Sequence, residues 1–136
     1  MRARITALMV AVAGITASMA TPASAASTTN GTGEVACIAA ANRPCVWLEK
    51  DGGGVVGVAH VSPASSTQLT VVQVEVRTQR AWGSPWVTVA SATTVTKGYA
   101  KAVTPRVVTG DLKMICAVGG PALEAEHQVT TCTAPF

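Results

Sequence analysis

Four cysteines carry the most specific chemistry in this 136-residue chain, namely Cys37, Cys45, Cys116 and Cys132. The gaps between them are 8, 71 and 16 residues, which provides none of the close-spaced ligand pairs that structural metal sites use. An even number of cysteines in a chain with an export signal predicts disulfides instead. We favour Cys37–Cys45 and Cys116–Cys132, because each pair lies in neighbouring segments that can form a hairpin. The two crossed pairings stay open.

Catalytic chemistry is harder to assemble from this sequence. The two histidines, His60 and His127, have no neighbouring motif, and no serine sits in the G-x-S-x-G pattern of hydrolases. The carboxylates cannot be paired from sequence, and Gly52-Gly53-Gly54 lacks the lysine and hydroxyl residue of a phosphate-binding loop. We therefore assign no catalytic, cofactor-binding or metal residue, expect no cofactor, and do not expect an enzyme.

The tryptophans are the most informative candidates for binding. Trp47 and Trp86 fall within predicted strands, and we expect them to fill the core. Trp82 lies in a turn, close in sequence to Arg77 and Arg80. A tryptophan in a loop with basic neighbours is a typical contact residue, so we predict Trp82, Arg80 and Arg77 as possible binding residues. The alternative is that Trp82 only caps the hairpin.

The first 26 residues have the features of a secretory signal peptide. Two arginines precede an uncharged run from Ile5 to Ala20, and Ala23-Ser24-Ala25 has the small-x-small form that signal peptidase accepts. Cleavage after Ala25 or Ala26 is expected, with an uncleaved anchor as the alternative. No second run has spanning length, so we predict a secreted, extracellular product without a membrane anchor.

Removal of this segment changes the charge of the protein. Of ten basic residues, Arg2 and Arg4 would be lost, which leaves eight against seven acidic residues. The mature protein is therefore nearly neutral, and a nucleic-acid partner is not expected. Residues 27–34 are polar and predict a flexible N-terminal arm, followed by one domain over 35–136.

Valine and threonine dominate the mature chain, and both favour strands. The clearest alternation is Val72, Val74 and Val76 against polar neighbours, while the adjacent Val71 and Val72 predict a bulge or a phase shift. Pro105 should interrupt its strand. Turn signals every 8–12 residues predict an antiparallel, immunoglobulin-like β-sandwich, with a small β-barrel as the alternative. The expected strands are Val35–Ala39, Cys45–Lys50, Val55–Val61, Gln68–Arg80, Trp86–Thr96, Tyr99–Val108, Leu112–Val118 and His127–Thr133.

The middle of the chain has a recognisable order of strand-like segments. The alternating strand VVQVEVRTQR is followed by SPWVTVASATTVT, a glycine-led strand, and a segment that ends Cys116-Ala117-Val118-Gly119. From Thr70 to Gly119 the chain resembles a group of short, uncharacterised secreted proteins of Streptomyces and related actinobacteria. The resemblance implies export. It implies no site residues, because that group has no established activity.

These observations favour a secreted, disulfide-stabilised, non-catalytic β domain that binds a protein or a cell-surface polysaccharide. One alternative is a protease inhibitor that presents a loop near Cys45 or Cys116. Another is an antibacterial or toxin-like factor. The sequence leaves the target and the oligomeric state open.

Overall fold

The computed structural model describes residues 35–136, so the predicted signal peptide (1–26) and N-terminal arm (27–34) lie outside the described residues. Within 35–136 the chain forms eight strands and one turn of 3-10 helix (Ala125–His127). The strands are β1 (Val35–Ala36), β2 (Pro44–Asp51), β3 (Gly54–Val61), β4 (Leu69–Gln79), β5 (Val87–Lys97), β6 (Ala100–Val103), β7 (Leu112–Pro121) and β8 (Val129–Cys132).

The strands form two antiparallel sheets of four strands each. The first sheet has the order β1-β2-β3-β6, and the second has the order β5-β4-β7-β8. The sheets pack face to face and do not close into a barrel, so the predicted β-sandwich is confirmed and the barrel alternative is not. The strand order differs from that of immunoglobulin constant domains. Here β2 pairs with β3 in a hairpin, whereas those domains pair their second strand with their fifth.

The core lies between the sheets and is built mainly from valine and alanine. In β4 the side chains of Val72, Val74 and Val76 are fully buried, and the intervening residues are half-buried on the opposite face, as the alternation predicted. Val46, Val61 and Ile115 close the core from the other strands, and all three are fully buried. Each sheet therefore has an inner face toward this core and an outer face toward solvent.

The β2–β3 turn shows why this sequence forms a hairpin there. Asp51 and Gly54 are paired, and the loop between them is Gly52-Gly53. Both glycines have positive φ, 51° and 85°, which a two-residue turn of this kind requires and which glycine adopts without strain.

Two details of the strands differ from the sequence prediction. The bulge expected at Val71 and Val72 is wrong, because both residues pair in continuous register with β5. The irregularity instead lies between Val76 and Arg77, opposite Val89. A bulge is set by how the partner strand twists, which adjacent valines do not reveal.

The strand expected over Tyr99–Val108 is shorter than predicted. β6 ends at Val103, just before Thr104 and Pro105, because proline cannot donate a ladder hydrogen bond. The Thr104 hydroxyl accepts a hydrogen bond from the Gly57 amide at 2.9 Å, and Val107 then pairs with Val55 in an isolated bridge. The chain thus continues along β3 after the interruption.

Both favoured disulfides are confirmed. Cys37 is bonded to Cys45, and Cys116 to Cys132, which are directly paired residues of β7 and β8. In the described part of the chain no cysteine is free, and no helix is long and apolar enough to cross a membrane. Two disulfides in a domain of this size fit a small extracellular domain, because disulfides persist in oxidising compartments.

Candidate functional site

The turn between β4 and β5 holds its shape through several hydrogen bonds. The Ser84 amide donates to the Ala81 carbonyl at 3.0 Å, and the Ser84 hydroxyl donates to the same oxygen at 2.6 Å. Gly83 has a φ of 83°, the left-handed value that the third position of a type II turn needs. The Gln79 side chain also donates to the Ser84 carbonyl at 2.7 Å. This network fixes the backbone on both sides of Trp82.

Trp82 stands at the tip of that turn with 95% of its surface exposed. A tryptophan is normally among the more buried side chains, because exposure of its apolar ring to water is unfavourable. The structure therefore answers one question that the sequence left open. Trp82 does not cover the hairpin, because a capping side chain would lose much of its exposed surface.

Trp86 lies beside the same turn but is half-buried. It packs on the outer face of the second sheet against Met114 and the Cys116–Cys132 disulfide. It does not belong to the main core, so the expectation that it fills the core is corrected. The sequence does contain a signal for this placement. Met114 and Cys116 lie on the face of β7 opposite Ile115, and apolar side chains on an outer face must be shielded from water by another side chain.

The C-terminal tail completes the surroundings of the two indoles. Phe136 exchanges two backbone hydrogen bonds with Lys113, at 2.9 and 3.0 Å, and this pairing fixes the tail beside β7. A groove of about 340 Å³ results at the end of the outer face. Its lining consists of Gln79, Trp82, Gly83, Trp86, Leu112 and Pro135. We call it the indole groove.

A row of polar side chains continues from the indole groove along the same outer face. Glu75 accepts hydrogen bonds from Gln73 at 2.9 Å, from Arg77 at 2.7 and 2.9 Å, and from Thr88 at 3.2 Å. We call Gln73, Glu75, Arg77 and Thr88 the polar strip. Its members lie on β4 and the neighbouring β5, so the sheet itself fixes their spacing.

The structure separates the three predicted binding residues. Arg77 belongs to the polar strip, where its guanidinium pairs with Glu75 and only 13% of its side chain is exposed. Arg80 is exposed but lines a different groove of about 470 Å³, together with Val87, Val89 and Asp111. Trp82 is therefore joined in its groove by Trp86, and neither arginine lines that groove.

Trp47 also lies outside the main core, so its predicted place is corrected too. It is half-buried on the outer face of the first sheet, where its ring meets the edge of His60 at 5.5 Å between centroids. The centroid of the Tyr99 ring lies 5.2 Å from that of His60, and the Lys101 amine lies 5.9 Å from the centroid of the Trp47 ring. The Trp47 Nε1–H donates to Glu49 at 2.9 Å, so the polar atom of this indole is already paired.

His60 is the unusual member of that cluster. Its Nδ1 is buried and is the one buried side-chain N or O atom in residues 35–136 without a hydrogen-bond partner. Burial, and then the positive charge of Lys101, lower the pKa of His60 below the ordinary 6.5. Its imidazole is therefore neutral at neutral pH and acts as an aromatic spacer between Trp47 and Tyr99.

His127 is the histidine that the fold brings against a carboxylate. Its Nδ1 lies 2.6 Å from Glu124 Oε2, on the exposed 3-10 turn. The hydrogen bond to Glu124 raises the pKa of His127, which favours the charged imidazolium over the neutral form that a general base requires. Neither residue lines the indole groove or the other grooves described here. The pair is therefore a surface ion pair.

Another groove, of about 660 Å³, lies beside the Cys37–Cys45 disulfide. Three alanines, Ile38 and Pro63 supply half of its lining residues. The loop there forms a turn, closed by the Arg43 amide and the Ala40 carbonyl at 3.4 Å.

Within residues 35–136, no group of three or more His, Cys, Asp or Glu side chains is placed to hold a metal ion. Comparison of the chain with models of protein families, with curated proteins and with solved structures found no match. The functional assignment therefore depends on the chemistry of the surface.

Proposed function

We propose that this protein is a secreted, non-catalytic carbohydrate-binding domain that holds a polysaccharide against the indole groove. The observation that carries the proposal is the pair of indoles, Trp82 and Trp86, at one end of the outer face of the second sheet. One of them is 95% exposed on a turn that hydrogen bonds keep in place. Because the turn is ordered before binding, a ligand that covers the indole does not have to order this backbone, which lowers the entropic cost of binding.

Sugar rings fit this chemistry. A pyranose ring has an apolar face of C–H groups, which packs on an aromatic ring, and hydroxyls at its rim, which need polar partners. Trp82 and Trp86 supply the aromatic rings. Gln79 lines the same groove, and its Oε1 accepts no hydrogen bond from residues 35–136. The groove thus combines stacking surface with a polar group that can accept from a hydroxyl.

The polar strip supports binding of a chain longer than one sugar. Its glutamine, glutamate, arginine and threonine follow the groove along β4 and β5, at the spacing of alternate strand residues. Alternate residues of a strand lie about 7 Å apart, so two such steps cover more than one sugar ring. The near-neutral charge of residues 27–136 favours a neutral polymer over a strongly charged one.

The direct test is retention on polysaccharides. Purified protein with both disulfides formed is incubated with isolated cell walls and with insoluble glucans, chitin and xylan, and the bound fraction is measured. We expect Trp82→Ala to weaken retention by at least about 30-fold, since truncation of a central binding residue costs about 2 kcal/mol or more. Its removal should leave the fold intact because the side chain is exposed.

Leu123→Ala is the matched control. Leu123 is 85% exposed on the loop after β7 and does not line the indole groove, and its truncation also removes exposed apolar surface. It should leave retention unchanged. No retention of the wild-type protein on any polymer, or equal retention of Trp82→Ala and wild type, would overturn the proposal.

A further inference from the structure

The sandwich has one edge strand that is unlike the other three. Within residues 35–136 the sheets end at β1, β6, β8 and β5. β1 has two residues, and β6 and β8 have four each, whereas β5 has eleven. Short edge strands limit pairing with other chains, because they present few free backbone N–H and C=O groups. β5 has no such protection from its length.

The composition of β5 does not protect it either. From Val87 to Thr96 the strand contains no charged residue and no proline, and Lys97 is its last residue. The one irregularity is at Val89, near its start. From Ala90 to Thr96 the strand is regular, so seven consecutive residues offer a straight, uncharged edge. Edges of this kind pair readily with a further strand.

Exposed apolar side chains gather along β5 and the neighbouring edge strand β6. Nine large hydrophobic residues are exposed in residues 35–136, and six of them lie on β5, on β6 or directly beside these strands. These six are Val87, Val89, Val95, Tyr99, Val103 and Val108. Such a concentration along two edge strands of a small domain marks a region for protein contact.

We propose that β5 pairs antiparallel with β5 of a second copy of this chain, so that two four-stranded sheets join into one of eight strands. The regular segment runs from Ala90 to Thr96, so the pairing that uses all of it places the two-fold axis at Thr93. Each residue of the segment then meets a residue of the second copy, and Thr93 meets itself. This is an isologous interface, the kind that closes as a dimer.

The charges favour a second copy as the partner. With the axis at Thr93, Lys97 lies opposite Val89 of the other copy, and the two Lys97 residues are eight positions apart. At the rise of a strand this separates them by about 27 Å, well beyond the ~10 Å screening length at 0.1 M salt. The strand therefore meets itself without repulsion.

The same register also covers an exposed apolar side chain within the paired segment. Val95 is 55% exposed on β5. With the axis at Thr93 it lies opposite Ser91 of the second copy, and the two-fold axis repeats this contact. Two valines therefore lose exposed apolar surface when the strands pair.

Sedimentation equilibrium of the purified, disulfide-bonded protein tests this interface. Wild type should associate as a dimer. Thr93→Lys and Thr93→Glu should each weaken dimerisation at least about tenfold, because like charges then face each other across the axis. An equimolar mixture of the two variants should restore the dimer, because opposite charges meet. Thr130→Lys is the control: Thr130 is exposed on β8, the opposite edge of the same sheet.

Far-UV circular dichroism and urea unfolding verify that each variant is folded. The restored dimer in the equimolar mixture is a separate check, because two unfolded variants could not form it. A wild-type protein that stays monomeric at high concentration would overturn the proposal. So would a dimer that Thr93→Lys leaves intact, or one that Thr130→Lys disrupts equally. The readout is independent of polysaccharide binding, so this proposal and the proposed function can fail separately.

Discussion

The three tryptophans of this protein differ in their surroundings. Trp82, Trp86 and Trp47 have the same side chain, yet one is exposed on a turn, one covers a disulfide and one belongs to an aromatic cluster with His60. The sequence placed Trp82 correctly in a turn, because Gly83 and Pro85 mark it. It misplaced the other two, since a strand residue can face either side and only the register decides which.

Gly119 is the residue whose replacement has the clearest steric consequence. A Cβ at this position would lie 2.5 Å from Val61 Cγ2 and 2.8 Å from the Val71 carbonyl oxygen. We expect Gly119→Ala to lower the free energy of unfolding by about 1–3 kcal/mol, because a close-packed interior must shift to admit the methyl group. Gly110→Ala, where nothing lies within 4 Å of the new Cβ, is the control. Equal urea midpoints for the two variants would contradict this packing.

His60 should make stability depend on pH. Burial lowers its folded-state pKa below the unfolded value of 6.5, so the unfolded chain binds the proton more strongly. Its contribution to stability is complete above pH 6.5 and is lost as the pH falls through that value toward the lower folded-state pKa. We expect the loss of stability between pH 7.5 and 5.5, measured by urea unfolding, to be smaller in His60→Gln than in wild type.

His127→Gln is the control for that experiment. The pKa of His127 is raised by Glu124, so its contribution has the opposite sign and is lost as the pH rises. Replacement of His127 should therefore leave the acid-side loss in place. An acid-side loss that persists in His60→Gln and vanishes in His127→Gln would show that the wrong histidine has been assigned.

Strands and turns could be predicted from the sequence where they depend on a local pattern of residues. The alternation in β4, the glycine turn between β2 and β3, and the interruption near Pro105 were all predicted, because each depends on residues close in the chain. The partners of each strand were not predictable in this way. Register between β4 and β5, and hence the exposure of Val87 and Val89, depends on pairing between segments.

The two disulfides act on different elements and should differ in strength. Cys116–Cys132 closes a loop with a sequence separation of 16, and Cys37–Cys45 one with a separation of 8. In the loop-entropy model the longer loop stabilises by about 3 kcal/mol, and halving the length reduces this by about 0.6 kcal/mol. The double variant Cys116→Ser/Cys132→Ser should therefore unfold at lower urea than Cys37→Ser/Cys45→Ser.

The same variant has a consequence for binding. Trp86 packs on Met114 and the Cys116–Cys132 disulfide, so loss of the bond loosens the support of one indole. We expect polysaccharide retention to fall in Cys116→Ser/Cys132→Ser even at urea concentrations where this variant is still folded. Retention should stay unchanged in Cys37→Ser/Cys45→Ser. Equal retention in both variants would show that the disulfide does not position Trp86.

At the scale of the whole molecule, the two proposed surfaces share one sheet. The indole groove lies on the outer face of the second sheet, and the β5 edge extends that sheet. A dimer through β5 would hold two indole grooves on one rigid body, and retention on an insoluble polymer would gain from two attachment points. Thr93→Lys should then reduce retention on polymer while affinity for a short oligosaccharide stays unchanged.

Export is the remaining property of the whole chain, and we propose it from the N-terminal residues alone. Protein collected from the culture medium should begin at Ala26 or Ser27, as mass spectrometry of the intact chain can determine. Replacement of Ala23 and Ala25 by larger residues should block cleavage. Detection of an intact Met1 in the medium would contradict the predicted signal peptide.

The three tryptophans offer the most direct test of the proposed binding site. In a ¹H–¹⁵N spectrum each indole N–H gives its own signal, and Trp47 lies on the opposite sheet from Trp82 and Trp86. Titration with soluble oligosaccharides, released from the polymer that retains the protein, should shift the Trp82 and Trp86 signals and leave the Trp47 signal in place. A shift of Trp47 alone, or no indole shift at saturation, would contradict carbohydrate binding at the indole groove.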